Sequence, residues 1–310
     1  MVRRCSGSWA GRRCQPWGWL GAICLAATAF AAPIHGQPPP AQPPRAPSAE
    51  YRPFRVVTYN VMLGLAYRLH MKLGTTKGPG VAWSLRHNKA LRAPDILGLQ
   101  EVCLTNGPQL AYLQRAMREA HGGAQIYAAS ATDGGQLDAD CSNAQVTLSP
   151  HPIVASGRFE FPLLSWRNAA LWTDHDVRRV QAYWNRTGRL RVYNLHLINR
   201  VGRSVQVAEA RWTQVQALLA HCQAFQREHP ETPVIWLGDF NTLGEVLKPW
   251  KHERSIVELS KLFKVSLQGF HPTHALLQQV DWIFSTPMAA LDSQVVLLPY
   301  ADHFPVVAEF

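Results

Sequence analysis

The 310 residues contain no glycine-rich nucleotide-binding loop, no serine set in a nucleophile elbow and no internal repeat. The first absence removes the phosphate cradle of NTPases and dinucleotide enzymes, and the second removes the usual serine hydrolase. The third removes solenoids and propellers. Cysteine is scarce: six in all, at positions 5, 14, 24, 103, 141 and 222, with no paired spacing of the zinc-site kind. His271-Pro272-Thr273-His274 makes a weak metal motif, because its proline argues for a loop and no third ligand lies nearby in the sequence. Charged residues are only 17% against 47% apolar, a balance that suits a globular chain with a sizeable core.

Acidic residues are missing from the first 32 positions, which hold Arg3, Arg4, Arg12 and Arg13. A basic stretch to Arg13, an apolar run from Trp17 to Ala32 and the small-x-small sequence Ala29-Phe30-Ala31 form the three parts of a secretory signal. The apolar run falls short of the roughly 20 residues that span a membrane comfortably. Residues 1–32 are therefore expected to be a signal peptide directing a secreted or periplasmic protein, with an uncleaved membrane anchor as the alternative. Residues 33–53 carry Pro38-Pro39-Pro40 and Pro43-Pro44, which exclude helix and central strand and read as a linker. The folded unit is expected over 54–310. The formal charge of +10 falls to about +6 without the leader arginines, a surplus that favours encounter with phosphate-bearing partners and decides nothing about chemistry. Cys103, Cys141 and Cys222 remain after the leader. A Cys103–Cys141 disulfide is one expectation for an exported chain, and three buried thiols are the other.

Six short apolar runs rich in β-branched residues read as buried strands: Phe54 to Met62, Asp95 to Gln100, Leu190 to Ile198, Pro233 to Leu237, Val280 to Ser285 and Val306 to Phe310. Leu110, Leu113 and Met117 recur at helical spacing after Pro108, and Val215, Leu218, Leu219 and Cys222 mark one buried helical face. Runs apolar at consecutive positions suggest sheets covered on both faces, hence an α/β layered architecture.

The polar residues fall at the ends of these runs. The strands lead into Asn60, Gln100-Glu101, His196, Asp239-Phe240-Asn241, Asp281 and Asp302-His303. One such ending is ordinary capping. Six endings drawn from carboxylates, amides and imidazoles can converge, and a carboxylate at the edge of a core is costly unless it is paired or bound to a cation. Together these groups make a hard-cation site with acid/base partners, of the kind Mg²⁺ prefers.

At these residues the sequence resembles the endonuclease/exonuclease/phosphatase superfamily. The matching segments are TYNV (58–61), PDILGLQEV (94–102), YNLHL (193–197), GDFNT (238–242), DWIFS (281–285) and ADHFPVVAEF (301–310). NAQVTLSPHPI (143–153) and ARWTQVQALL (210–219) are similar to the family's small-residue strand and Arg-x-x-Gln helix. The resemblance implies a deoxyribonuclease-like four-layer α/β sandwich, with two packed mixed β-sheets flanked by helices. It implies Glu101, Asn60 and Asp302 as holders of Mg²⁺, for which Mn²⁺ or Ca²⁺ could substitute. It makes Asp281 the aspartate that orients a catalytic His303, with Asp239 and Asn241 orienting the attacking water or leaving oxygen and His196 donating to a phosphate oxygen. Whether His303 or Asp239 is the base is left open. Arg200 and Arg203 are candidates for contact with the substrate. A short, cluttered stretch before Pro94 departs from the family's longer amphipathic helix, and Ala301 stands where Ser is frequent.

These features imply a monomeric, Mg²⁺-dependent phosphoester hydrolase. The leading expectation is a nuclease acting on nucleic-acid phosphodiesters, with Trp166, Trp184 and Trp250 as stacking groups if exposed. The alternative is a sphingomyelinase-like or inositol-phosphate phosphodiesterase or phosphatase, with Met62 to Tyr67 as an apolar lip. A non-catalytic binding scaffold is the third reading.

Overall fold

The computed structural model describes residues 52–61, 80–104, 109–138, 141–161, 169–198, 205–242, 253–298 and 301–310. The leader, all but the end of the linker, Met62 to Tyr67, Trp166, Arg200, Arg203 and Trp250 lie outside the described residues.

In chain order the elements are β1 (Arg55–Asn60), α1 (Gly80–His87), β2 (Ile96–Cys103), α2 (Gln109–Ala120), β3 (Tyr127–Asp138), β4 (Cys141–Ser149), β5 (Ile153–Glu160) and β6 (Ala169–Asp176). They continue with β7 (Arg189–His196), α3 (Val205–Glu228), β8 (Val234–Asp239), α4 (Arg254–Leu262), β9 (Lys264–Val265), β10 (Asp281–Thr286), β11 (Asp292–Val295) and β12 (Val306–Glu309). All six expected strands are present. The helical spacings at Leu110 and Val215 lie on α2 and α3. Among the described residues before Pro94 stands the eight-residue α1.

Two six-stranded sheets form, in the orders β11-β12-β1-β2-β4-β3 and β5-β6-β7-β8-β10-β9. Each is mixed: β1–β2 and β7–β8 pair parallel, and their neighbours pair antiparallel. Side chains alternate across a strand with period two, so each central strand sends every second residue between the sheets. The inner faces bring Val56, Ile96, Val306 and Ala308 against Leu190, Val192, Ile235, Leu237 and Ile283 in one core. The outer face of the first sheet packs Val57, Tyr59, Leu97 and Leu99 against Leu85 of α1 and Leu113 and Met117 of α2. The outer face of the second packs Tyr193, Leu195, Trp236 and Phe284 against Val215, Leu218 and Cys222 of α3 and Ile256 and Leu259 of α4. The result is the expected four-layer sandwich of two mixed sheets flanked by helices.

The sheets approach closely at Gly98, where a Cβ would stand 2.0 Å from Leu237 Cδ1 of the facing sheet. Any larger residue there must displace the buried Leu237 side chain. Trp184 is buried and packs edge-on against Phe54 at 5.0 Å, so it is a core residue and not a stacking platform. Burial of its large ring outweighs any advantage of leaving it at the surface. Cys103 is disulfide-bonded, which removes the alternative of three buried thiols; its expected partner, Cys141, opens β4, whose Asn143 faces Cys103 in the register. Cys222 is a free buried thiol. No helix among the described residues is long and apolar enough to cross a membrane.

Candidate active site

The alternation that fills the core with Val56, Ile235 and Leu237 turns polar at one edge of the sandwich. On β1 the inward positions run Val56, Thr58, Asn60; on β7 they run Leu190, Val192, Asn194, His196; on β8 they run Ile235, Leu237, Asp239. Register then sets His196, Asp239 and Asp281 side by side across β7, β8 and β10. Gly238, between Leu237 and Asp239, has φ 143°, and a Cβ there would lie 2.1 Å from Leu195 O. A glycine at this position lets β8 approach β7 at the point where the two polar ends must meet.

Glu101 breaks the alternation. Leu99 and Val102 both pack on the helix side of their sheet, and the register slips between them, so Gln100 and Glu101 form a β-bulge. Glu101 takes φ 56°, a left-handed backbone that costs a non-glycine residue roughly 1–2 kcal/mol. Strict period two would point Glu101 at the helices. The bulge turns it inward, where Oε1 accepts a hydrogen bond from Asn60 Nδ2 at 3.1 Å and lies 3.7 Å from His196 Nε2.

Behind this row a buried amide network joins the sheets. Gln100 Nε2 donates to Asn194 Oδ1 at 2.7 Å and to Thr58 Oγ1 at 3.1 Å, and Asn194 Nδ2 donates to the carbonyls of Val146 and Leu99 at 2.9 and 3.2 Å. All three side chains are fully buried. Each holds the strand residue next to or two before a site residue. The meeting of Gln100 and Asn194 could not be read in advance, since 94 positions separate them.

Asp239 is the hub. Its Oδ2 accepts from Asn60 Nδ2 at 2.9 Å and lies 3.8 Å from His196 Nε2 and 3.6 Å from His303 Nε2, while its Oδ1 accepts the Asn241 backbone N–H at 2.8 Å. Asn241 (φ 50°) closes this turn, and its Nδ2 bonds Leu197 O at 3.0 Å. His303 Nδ1 donates to Asp281 Oδ2 at 2.9 Å. Burial alone would depress the His303 imidazole, but the Asp281 and Asp239 carboxylates outweigh it and push its pKa up to about 10. Burial in turn pushes the Asp281 carboxyl up, against the stabilising pull of His303. The shared proton rests on the imidazole, which has two carboxylates to serve.

Thr273 braces this pair: its Oγ1 accepts the N–H groups of Val280 and Asp281 at 3.0 Å each, and its carbonyl accepts Phe304 N–H at 2.6 Å. His274 forms a β-bridge with His303 and stacks edge-on against it at 4.7 Å, with Nε2 3.4 Å from Asp302 Oδ2. Folding gives His274 partners other than His271, because His274, Asp302 and His303 offer donor atoms within 4.8 Å of one another. The tautomer argues for another role. His274 Nδ1 accepts Leu276 N–H at 3.1 Å, so in the neutral ring the proton sits on Nε2 and faces Asp302. That contact, more than any other, holds the Asp302 carboxyl below its usual range. Asp239, Asp281 and His303 form a second group of the same kind.

The residues fit a hard divalent cation. Asn60 and Glu101 touch, and Asp302 Oδ1 has no hydrogen-bond partner in the protein, leaving it open to a cation or its bound water. Of the expected site residues, Asn60, Glu101, His196, Asp239, Asn241, Asp281 and His303 come together, and Asp302 joins them through His303 and His274.

Residues 57–303 match the model of the Endonuclease/Exonuclease/phosphatase family. No curated protein sequence matches the chain. Among solved structures, the chain is similar to the human nocturnin catalytic domain with bound sulfate, at 18% identity and TM-score 0.55, over 83% of this chain and 93% of that one. It is similar to the 3′ phosphatase NExo from Neisseria bound to product DNA hairpin, at 18% identity and TM-score 0.54, over 83% and 99% of the two chains. It is also similar to beta toxin from Staphylococcus aureus, at 14% identity and TM-score 0.56, over 82% and 99%. These likenesses concern the fold.

Proposed function

The chain belongs to the endonuclease/exonuclease/phosphatase family, and from that premise we propose that it hydrolyses phosphodiesters with a divalent cation, Mg²⁺ before Mn²⁺ or Ca²⁺. One observation carries the reading: the Asp281–His303–Asp239 row faces Asn60 and Glu101 across the two sheets. Glu101, Asn60 and Asp302 would hold the cation, which when bound supplies positive charge to the phosphoryl oxygens.

The chain's own groups do the rest. Asp239 accepts the proton of the attacking water, a role open to it because His303 already holds its proton. As the new P–O bond forms, His303 Nε2 gives that proton to the leaving oxygen and the old ester bond breaks. His196 Nε2 donates to a phosphoryl oxygen as charge develops there. Asn241 fixes the turn that aims Asp239. Asp281 keeps the imidazole oriented and protonated.

The leader-like N-terminus and the disulfide at Cys103 both support export from the cytoplasm, since disulfides persist in oxidising compartments. Every group named here acts on the phosphoryl centre or the water, so nucleic acid and lipid phosphodiesters suit it equally. The test is hydrolysis of bis(4-nitrophenyl) phosphate by purified protein with Mg²⁺ and with EDTA, beside His303→Ala. Turnover should require the metal and fall at least about a thousandfold in the variant. Full activity in His303→Ala would end the reading.

A further inference from the structure

Large hydrophobic side chains stand exposed at nine described positions, and the three most exposed are Leu297 (74%), Leu276 (73%) and Leu277 (62%). All three flank the segment that carries His303. On one side, Ala275 N–H bonds Asp302 O at 2.7 Å and Phe304 N–H bonds Thr273 O at 2.6 Å, which lashes the 273–278 turn, with Leu276 and Leu277, to residues 302–304. On the other side, Val296 N–H bonds Pro305 O at 2.9 Å, placing Leu297 beside the same segment. Apolar surface held in water at two loops is costly, and its concentration around one reaction centre calls for an apolar environment that covers it in use.

We propose that this leucine rim docks on a zwitterionic lipid surface and that the phosphodiester hydrolysed is that of a phospholipid head group, a reading that rests on the phosphodiesterase activity proposed above. Whatever covers the rim also covers the centre, so the covering surface must itself deliver the phosphoryl group. A lipid layer does this and a protein partner does not. The leucines project from separate loops, a form suited to a fluid apolar layer that moulds around knobs; a protein interface would need a continuous complementary patch.

The distribution of charge points the same way. Arg55 opens β1 and Arg189 opens β7, roughly 17 and 23 Å of strand from Asn60 and His196, and Arg191, about 17 Å from His196, is held by Asp174. The described cations of these two central strands cannot grip a polyanion at the centre, and the flanking turn contributes leucine, histidine and glutamine instead. Adhesion through the rim is therefore apolar, and salt should not weaken it.

The experiment compares the full chain with Leu276→Ser/Leu277→Asn/Leu297→Ser, so that any contribution of the N-terminal segment is common to both. Asparagine is chosen at 277 because Leu277 has φ 56°, a conformation asparagine tolerates. The probe is vesicles of the choline phospholipids phosphatidylcholine and sphingomyelin. The wild type should co-sediment with them equally at about 0.1 and about 1 M NaCl and release a phosphorylated head group or its ester product. The triple variant, with an unchanged thermal midpoint, should partition at least about tenfold less. Equal sedimentation of both proteins, or adhesion without attack on the lipid phosphate, would overturn the proposal. So would salt-sensitive DNA binding and cleavage with no vesicle binding. Failure of the wild type on bis(4-nitrophenyl) phosphate would instead strike the phosphodiesterase reading, which separates the two.

Discussion

Asn60 and Asp239 belong to different sheets, and the Asn60 amide donates to Asp239 Oδ2 at 2.9 Å across the interface between them. The same nitrogen donates to Glu101. One neutral amide thus holds two carboxylates in a shared pocket, at the point where the inter-sheet core stops being apolar. Without such a donor, or a cation, the buried Asp239 carboxylate would be costly to keep charged.

The left-handed backbone at Glu101 predicts a conflict between stability and activity. Glu101→Gly relieves a conformation that disfavours side chains and should hold or raise stability by about 1 kcal/mol, offset in part by the lost Asn60 contact. Turnover should fall at least about a hundredfold. Urea unfolding beside a kinetic assay tests both halves, and a glycine variant that stays active would remove Glu101 from the centre.

His303 and Asp281 predict a titration. In metal-free protein the His303 ring should lose its proton near pH 10, followed by histidine side-chain NMR in EDTA. The folded chain binds this proton more tightly than the unfolded one, whose histidines titrate near 6.5. The pair's contribution to stability is therefore complete below pH 6.5 and fades as pH climbs through 10. Asp281→Asn should lower the titration and reduce kcat by about a hundredfold or more. A His303 titration unmoved in that variant would contradict the pairing.

The Gln100–Asn194 bond predicts strong coupling. Either Gln100→Leu or Asn194→Leu leaves the other buried amide short of a partner, at roughly 2–3 kcal/mol. The double variant should cost less than the two losses added together. Chemical denaturation of all four proteins measures the coupling; strict additivity would mean the bond contributes nothing of its own.

His175 predicts acid sensitivity away from the centre. Burial, reinforced by nearby His151, pushes its pKa down to about 3, and its Nε2 meets Thr173 Oγ1 at 2.8 Å. The unfolded chain takes up a proton near 6.5 and the folded one does not, so stability is full above pH 6.5 and falls as pH drops toward 3. At about 1.4 kcal/mol per unit the loss reaches roughly 4–5 kcal/mol. His175→Gln should flatten the stability profile across that window, and an unchanged slope would show that other groups set it.

Six of the eight interior strands were readable because burial on both faces leaves a continuous apolar run, with a polar residue near one end of each; interior β4 and β6 were not among those runs. Edge strands lack that signature. β5 closes one sheet with most of its residues at least partly exposed, and the Gly134-Gly135-Gln136 stretch of β3 has no apolar run to read. Most of the site followed from the strand ends, since His196, Asp239 and Asp281 needed only register to meet. Glu101 did not follow, because the bulge that turns it inward depends on how β2 pairs with β4. The position of His274 was hidden by sequence distance: its partners Asp302 and His303 lie almost thirty residues downstream and reach it through a β-bridge.

The amide bridge between Gln100 and Asn194 has a consequence for how activity is lost. Glu101 and Asn60 ride on one sheet, and His196, Asp239 and Asp281 ride on the other, so neither half carries a complete reaction centre. A folding intermediate with one sheet formed, or a native state in which the layers part by the width of a side chain, is catalytically empty. Inactivation by heat or denaturant should therefore track separation of the layers and precede the melting of either sheet's own backbone ladder.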